Sequence, residues 1–260
     1  MKSHLFIFFI LLFTGSLLIT SAQSREIDKT FTLEKNGSLE LDNYKGSINI
    51  ETWDKAEVEV HVKIEADGWG RNEEEKVEKT EIIFRDSKDH LYIKTEYPDN
   101  HSFNFWGNNG NNPFVHYTIK MPATAKLDVN DYKSDTDIRG LHADLNFETY
   151  KGTVKIVDFS GAMDLETYKG DVEVDFTKLT DDSKFETFKG RIEISLAADT
   201  KFSLDADLGK KGDFDSEFDV DNERNKRRHR DDDYVRGDVN GGGPYIEFST
   251  YKGDLRLMKK

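Results

Sequence analysis

The side chains that could do chemistry in this 260-residue chain fall into four groups: scattered histidines, a row of acids, a basic cluster and a recurring aromatic-Lys-Gly step. The histidines are His4, His61, His90, His101, His116, His142 and His229, and none forms a HExxH or a close pair with metal-ligand spacing. The acids alternate in DFDSEFDVD at Asp213, Asp215, Glu217, Asp219 and Asp221, with Phe214, Phe218 and Val220 on the other parity. One flat row does not converge six to eight oxygens on a calcium ion, so it reads as a half-buried strand with a solvated acidic face. The basic run RNKRRHR, Arg224 to Arg230, is flanked by acids and reads as a self-neutralising loop, with a protease-sensitive or anion-binding loop as the alternative. No GxSxG elbow, Walker loop or dinucleotide glycine fingerprint is present, and Gly241–Gly243 precedes a strand. The pattern therefore predicts no catalytic residue, no metal site and no cofactor.

The aromatic-Lys-Gly step is the recurrent motif. FETYKGTVKI begins at Phe147, LETYKGDVEV at Leu165, FETFKGRIEI at Phe185 and FSTYKGDLRL at Phe248. An earlier copy surrounds Tyr44, a variant with Ser134 in the glycine position surrounds Tyr132, and a looser copy with a longer turn surrounds Leu208. If Phe147 and Thr149 point inward, Glu148 and Tyr150 point outward. Stacked copies then place Tyr132, Tyr150, Tyr168 and Phe188 in a surface row, with Tyr251 in the last copy. Lys133, Lys151, Lys169 and Lys189 run beside them, and Glu148, Glu166 and Glu186 run on the other side. Rings about 5 Å apart fall in the favourable range for offset stacking. Two readings stand: the row staples the turn as same-face cross-strand pairs do, or it is an aromatic strip that binds a glycan or a partner protein. Phe103, Phe105 and Trp106 in HSFNFWGNNGNNPF join this candidate partner-binding set, either as exposed contacts or as a cap on one end of the fold. Thr149, Thr167 and Thr187 form an inner row whose hydroxyls are expected to bond along the stack.

The elements that must position these groups follow from periodicity. Leu145, Phe147 and Thr149 share one parity, and Val154 and Ile156 resume after the Lys-Gly step; the next two copies repeat this. Alternation of β-branched and aromatic residues marks strands. Each copy is two short strands around a glycine bend, and a single copy cannot bury its apolar face alone. The expected fold class is all-β, a β-solenoid (parallel β-helix-like) over residues 125–260, continuous with an irregular β region at 23–124. Earlier strands are expected at Thr30–Glu34, Ser47–Thr52, Glu57–Glu65, Thr80–Phe84, His90–Glu96 and Val115–Met121. NEEEKVEKT reads as a charged loop or one exposed helical turn, and residues near 221–243 as a disordered loop.

Composition narrows function. Lys2, the apolar run Leu5–Ile19 and the small residues Thr20–Ala22 have the layout of a secretory signal peptide over residues 1–22. The run is shorter than the roughly 20 residues a spanning helix needs, so no membrane span is expected after cleavage. The chain has no cysteine, hence no disulfide and no thiol to carry a lipid. A formal charge of −14 argues against nucleic acid as a partner.

Three segments, LELDNYKGSINIETWDKAEVEVHV, VHYTIKMPATAKLDVNDYKSDTDI and the glycine-punctuated repeats, make the chain similar to the bacterial putative-adhesin family, a domain of unknown function. The resemblance runs from about Phe31 to the C-terminus. It implies a β-helix-like solenoid in an exported or envelope-associated protein, in the periplasm, the cell envelope or outside the cell. The expected function is non-enzymatic: a rigid β-solenoid face presented to an unknown protein or polysaccharide partner. A carbohydrate-active β-helix enzyme and an envelope-stress signalling component are the alternatives.

Overall fold

The computed structural model describes residues 24–98, 112–221 and 234–260. Each repeat is a rung of two strands, one in each of two facing sheets. Five successive rungs make up the middle of the stack: β2 (Ser38–Asp42) with β3 (Lys45–Trp53); β8 (Lys126–Arg139), one long strand that serves both sheets; β9 (Leu145–Lys151) with β10 (Val154–Ser160); β11 (Met163–Lys169) with β12 (Val172–Lys178); and β13 (Ser183–Lys189) with β14 (Arg191–Leu196). Neighbouring rungs pair in parallel and in register, so like positions lie one above another. Val129 faces Phe147, Phe147 faces Leu165, and Leu165 faces Phe185, each fully or almost fully buried. In the second sheet Ile50, Ile138, Ile156, Val174 and Ile194 make the matching column. Both columns belong to one continuous apolar core. The expected solenoid is the fold observed.

The ends depart from chain order. β6 (His90–Glu96) and β7 (Phe114–Pro122) form a rung that packs outside β2 and β3, so the earlier copy is sandwiched between later segments. At the other end, β18 (Tyr245–Thr250) and β19 (Asp254–Lys259) insert between β13–β14 and the rung of β15 (Phe202–Asp207) and β16 (Phe214–Ser216). Phe185 therefore pairs with Phe248, and Ala206 lies beyond it. The copy around Leu208 follows Phe188 in sequence but does not follow it in space.

Antiparallel strands finish the sheets. β1 (Ser24–Thr32) pairs with β4 (Glu57–Glu65), which pairs with β7. β5 (Glu81–Asp86) covers β6, and β17 (Tyr234–Val239) covers β15. An open parallel edge would present a template for further pairing, and the charge-rich β1 and β17 replace it.

Three local expectations change. Tyr234–Val239 is a strand, not part of a disordered loop: Val239 is buried, and Gly237 gives room for the Asp221 carbonyl to approach. The acidic row supplies only the three-residue β16 before the chain bends, because Phe218 turns into the core. Arg71–Lys79 is a helix, α1, in place of the charged loop. It buries Val77, carries Glu73 and Glu74 in its first turn and Lys76 and Lys79 in its last, the arrangement favoured by the helix dipole, and adds Lys76–Glu73 and Lys79–Glu75 ion pairs.

Candidate functional site

The two sheets meet at a corner made by the aromatic-Lys-Gly step, and there the rings form one continuous column. Tyr44 stacks on Tyr132 with centroids 4.7 Å apart, Tyr132 on Tyr150 at 4.9 Å, Tyr150 on Tyr168 at 4.9 Å, Tyr168 on Phe188 at 4.6 Å and Phe188 on Tyr251 at 5.1 Å. The planes lie within 12° of parallel throughout. Tyr97 closes the column edge-on against Tyr44 at 5.9 Å. Because each inner ring is covered on both faces by its neighbours, what faces solvent is ring edges and phenol hydroxyls. The five tyrosines in the stack are about 40% exposed.

A glycine column permits the corner. A Cβ on Gly152 would lie 1.9 Å from the Ser134 carbonyl oxygen of the preceding rung, and the same collision recurs at Gly190 against Gly170 at 2.0 Å. Both glycines also have positive φ, 141° and 136°. Ser134 has no positive φ, because β8 runs through the corner unbroken and its neighbour on the preceding rung is Gly46; its amide and hydroxyl both donate to Asp131, at 2.7 and 2.6 Å, and its hydroxyl accepts from Asn43 at 3.0 Å.

The inner threonine row behaves differently from expectation. Thr149 donates to Asp131 at 3.0 Å, and Thr250 accepts from the Gly253 amide at 2.6 Å. The buried Oγ1 atoms of Thr167 and Thr187 have no hydrogen-bond partner among the described residues; their register neighbours are threonines, where Thr149 has Asp131. Asp131 is the acid of this row. Burial pushes its carboxyl up to about 6, against the lowering effect of its hydrogen bonds from Ser134 and Thr149.

Outside the rings runs a lysine column. Lys133, Lys151, Lys169 and Lys189 are in register on successive rungs, Lys252 continues the motif on the next, and all five are exposed. Among the described residues none of the five makes an ion pair, although many other lysines do (Lys126 with Asp144, Lys155 with Glu173, Lys184 with Glu186). Lys169 lies over the rings of Tyr168 and Tyr150 at 5.1 and 5.9 Å, and Lys252 over Tyr251 at 5.3 Å. Lys45 is the exception at the start of the column: it is buried, pairs with Asp67 at 2.7 Å and sits over Phe114. Glu148, Glu166 and Glu186 lie in register on the opposite side of the rings. A shallow hollow of about 300 Å³ lies between the glutamates and the rings, lined by Glu166, Tyr168, Glu186, Phe188 and Tyr251.

A larger groove, about 680 Å³, runs along the starts of the first-sheet strands, past Leu127, Leu145 and Met163 and between Asp128, Asp164 and Lys184. Its lysines are already paired, Lys126 with Asp144 and Lys184 with Glu186, so the freer charge is at the aromatic corner despite its smaller hollow. Among the described residues no three histidine or acidic side chains gather as a metal site.

The structure thus brings Tyr132, Tyr150, Tyr168, Phe188 and Tyr251 together. Phe103, Phe105 and Trp106 lie outside the described residues. Two members of the corner were not singled out as site residues: Tyr44, whose YKG copy was the available signal, and Tyr97, which belongs to no copy. Trp69 was also missed. It is 87% exposed between Gly68 and Gly70, both at positive φ, and only its glycine flanks mark it in sequence. Asp67, two residues earlier, is the partner of Lys45, so this loop stands at the Tyr44 end of the column.

A model of the Toastrack DUF4097 family matches residues 123–257. No functionally curated protein matches the chain. Among solved structures, a "putative cell adhesion protein" from Clostridium sporogenes is similar over 91% of this chain and 100% of its own, with 13% identity and a TM-score of 0.50, which is a likeness of fold. A "putative adhesin" from Bacteroides fragilis aligns at 10% identity and a TM-score of 0.32, over 90% of this chain and 97% of its own. A "putative lipid binding protein" from Parabacteroides distasonis aligns at 11% identity and a TM-score of 0.25 over the same shares.

Proposed function

The chain belongs to the Toastrack DUF4097 family, and from that premise we propose that it is an exported, non-enzymatic envelope or surface protein whose aromatic-lysine corner is a binding surface. The observation that carries this reading is the unbroken six-ring column bordered by five exposed lysines that make no ion pair among the described residues. A corner of this kind repeats the same few groups along a straight line. That suits an extended partner met at many equivalent points. A catalytic centre needs unlike groups converging on one bond, with a base and its orienting partner in hydrogen-bond reach.

Rigidity supports the same reading. Registered parallel strands, stacked rings and a continuous core hold each contact group at a fixed height, so little conformational freedom is lost when a partner docks. The adhesion name belongs to the Clostridium sporogenes protein; for this chain, attachment to envelope or extracellular material is the use that such a surface would serve. No helix among the described residues is long and apolar enough to cross a membrane, and export is read from the leader-like segment at residues 1–22.

The test is capture of envelope material by the immobilised protein and by the Tyr150→Ser/Tyr168→Ser variant. The reading expects the variant to lose its captured components at a temperature where circular dichroism shows it folded. If the variant melts lower yet captures every component as the native chain does, the rings are structural staples and the binding surface is elsewhere.

A further inference from the structure

The reading above leaves the partner's chemistry open, and this inference rests on it. We infer that the corner binds a linear carboxylated polysaccharide whose chain runs parallel to the stack. Three features of the corner select that chemistry. First, the exposed cations come one per rung, from Lys133 to Lys252, spaced by the strand separation of about 4.8 Å. A polymer with one anion per repeat of similar length brings anions to the column at multiples of that spacing, and an extended uronic-acid chain repeats on nearly that scale. Second, the groups beside the lysines accept hydrogen bonds. Phenol oxygens at Tyr132, Tyr150 and Tyr168 and the carboxylates of Glu148 and Glu166 face the same side of the molecule. A sugar chain brings many hydroxyl donors to such a border. Nucleic acid and anionic lipid bring few such donors to it.

Third, the acids on the far side of the lysines are each engaged by a backbone donor. Asp135 accepts from the Thr153 amide at 3.0 Å, Asp171 from the Arg191 amide at 2.9 Å and Asp254 from the Asp213 amide at 3.3 Å. They tie rung to rung, whereas the five ammonium groups make no ion pair among the described residues. The stacked rings offer no free face for a pyranose, since each inner face is covered by its neighbour. Trp69 supplies one: it stands exposed at the Tyr44 end, where the Asp67–Lys45 pair fixes its loop. The polysaccharide accordingly runs along the lysine column and lays one sugar near its end on the Trp69 indole.

The experiment is calorimetric titration of the full mature chain with three probes: polygalacturonate oligomers, the same oligomers fully methyl-esterified, and poly-glutamate of matched charge. The expected result is binding of the free acid, at least about tenfold weaker binding of the ester, and no comparable binding of poly-glutamate. The K151Q/K169Q/K189Q variant loses at least about tenfold for the free acid, and W69A loses a smaller factor. Lys155→Gln, on the second sheet away from the corner, binds as the native chain does, and all variants keep the native melting profile. Equal binding of acid and ester, equal binding of poly-glutamate, or an unaffected triple-lysine variant each overturns the inference. If native protein binds no free acid but envelope capture still depends on Tyr150 and Tyr168, the polysaccharide is wrong and the binding surface stands. If capture is also indifferent to the rings, both fall.

Discussion

The middle of the stack and its two ends obey different rules. From β8 to β14 the chain lays down rungs in the order it is synthesised, and like positions of the repeat become neighbours: Phe147, Leu165 and Phe185 in one column, Thr149, Thr167 and Thr187 in the next. At both ends order breaks. The earlier YKG copy lies inside the β6–β7 rung, and the last copy lies inside the β15–β16 rung. The difference separates two jobs. The middle needs only a partner above and below. An end must present a finished face to solvent, and the segments that do so are irregular: α1, the antiparallel β1, β4, β5 and β17, and the short β16. By inserting the best copies one place in from each end, the chain keeps its stacked rings next to regular rungs and leaves the poor copies outermost.

The comparison can be broken most sharply in the core. Phe147→Ala opens a cavity between two registered rungs and should cost about 3–5 kcal/mol of unfolding free energy. Val235→Ala, on half-buried β17, should cost about 1 kcal/mol by the same logic of removed methyl groups. Chemical denaturation of the two variants measures both. Equal losses would mean that the middle is no better packed than the end.

The second effect is a pH dependence rooted in Asp131. The unfolded carboxyl titrates near 3.8, and the folded one is raised to about 6 by burial. Its contribution to stability is therefore largest below pH 3.8, declines as pH rises from there to about 6, and is constant above. The decline is at most roughly 3 kcal/mol. Asp131→Asn removes this slope, so the difference between variant and native stability should shift in the variant's favour across that window and be flat beyond it. A difference that is flat from pH 4 to 7 would show Asp131 to be solvated.

Glycine substitutions give a smaller contrast. Gly152→Ala in the middle drives a Cβ against the Ser134 carbonyl and should cost about 1–3 kcal/mol. Gly241→Ala at the end, where nothing lies within 4 Å of the new Cβ, carries only the positive-φ penalty, about 1 kcal/mol. Smallest is the ring column: Tyr150→Ser loses two stacking contacts and Tyr251→Ser one, so they should differ by about one contact, 0.5–1.5 kcal/mol. Thermal melts of the pair read that difference directly.

Much of the middle was legible before any coordinates. Alternation around FETYKG sets which residues face inward, and copies 18 or 20 residues apart set which stand above one another; Tyr132, Tyr150, Tyr168 and Phe188 could be placed in a column from that alone. The ends were not legible, for a physical reason. Periodicity says that a segment fits a rung, but not which rung it lies against, since Phe248 suits the top of Phe185 and the top of Ala206 equally well by sequence. The helix α1 hid its one apolar anchor, Val77, among charges. Asp131 occupies the threonine position of its rung, and its burial depends on Asn43, Ser134 and Thr149 coming together from three separate rungs. Trp69 stands out only once the chain around it is folded, because a single tryptophan between glycines carries no period.

The central claim is that the last copy is threaded between its predecessors, which is what carries the ring column from Phe188 to Tyr251. A chain without cysteine makes this directly testable with paired cysteines on the outer face of the first sheet. Glu186 pairs in register with Ser249, and Ser249 with Asp207 on the following rung. E186C/S249C should cross-link in high yield under mild oxidation or with a short bismaleimide, and E186C/D207C, two strand spacings or roughly 10 Å apart, should not form a disulfide. Efficient disulfide formation by E186C/D207C with none by E186C/S249C would put the rungs in chain order and contradict the account.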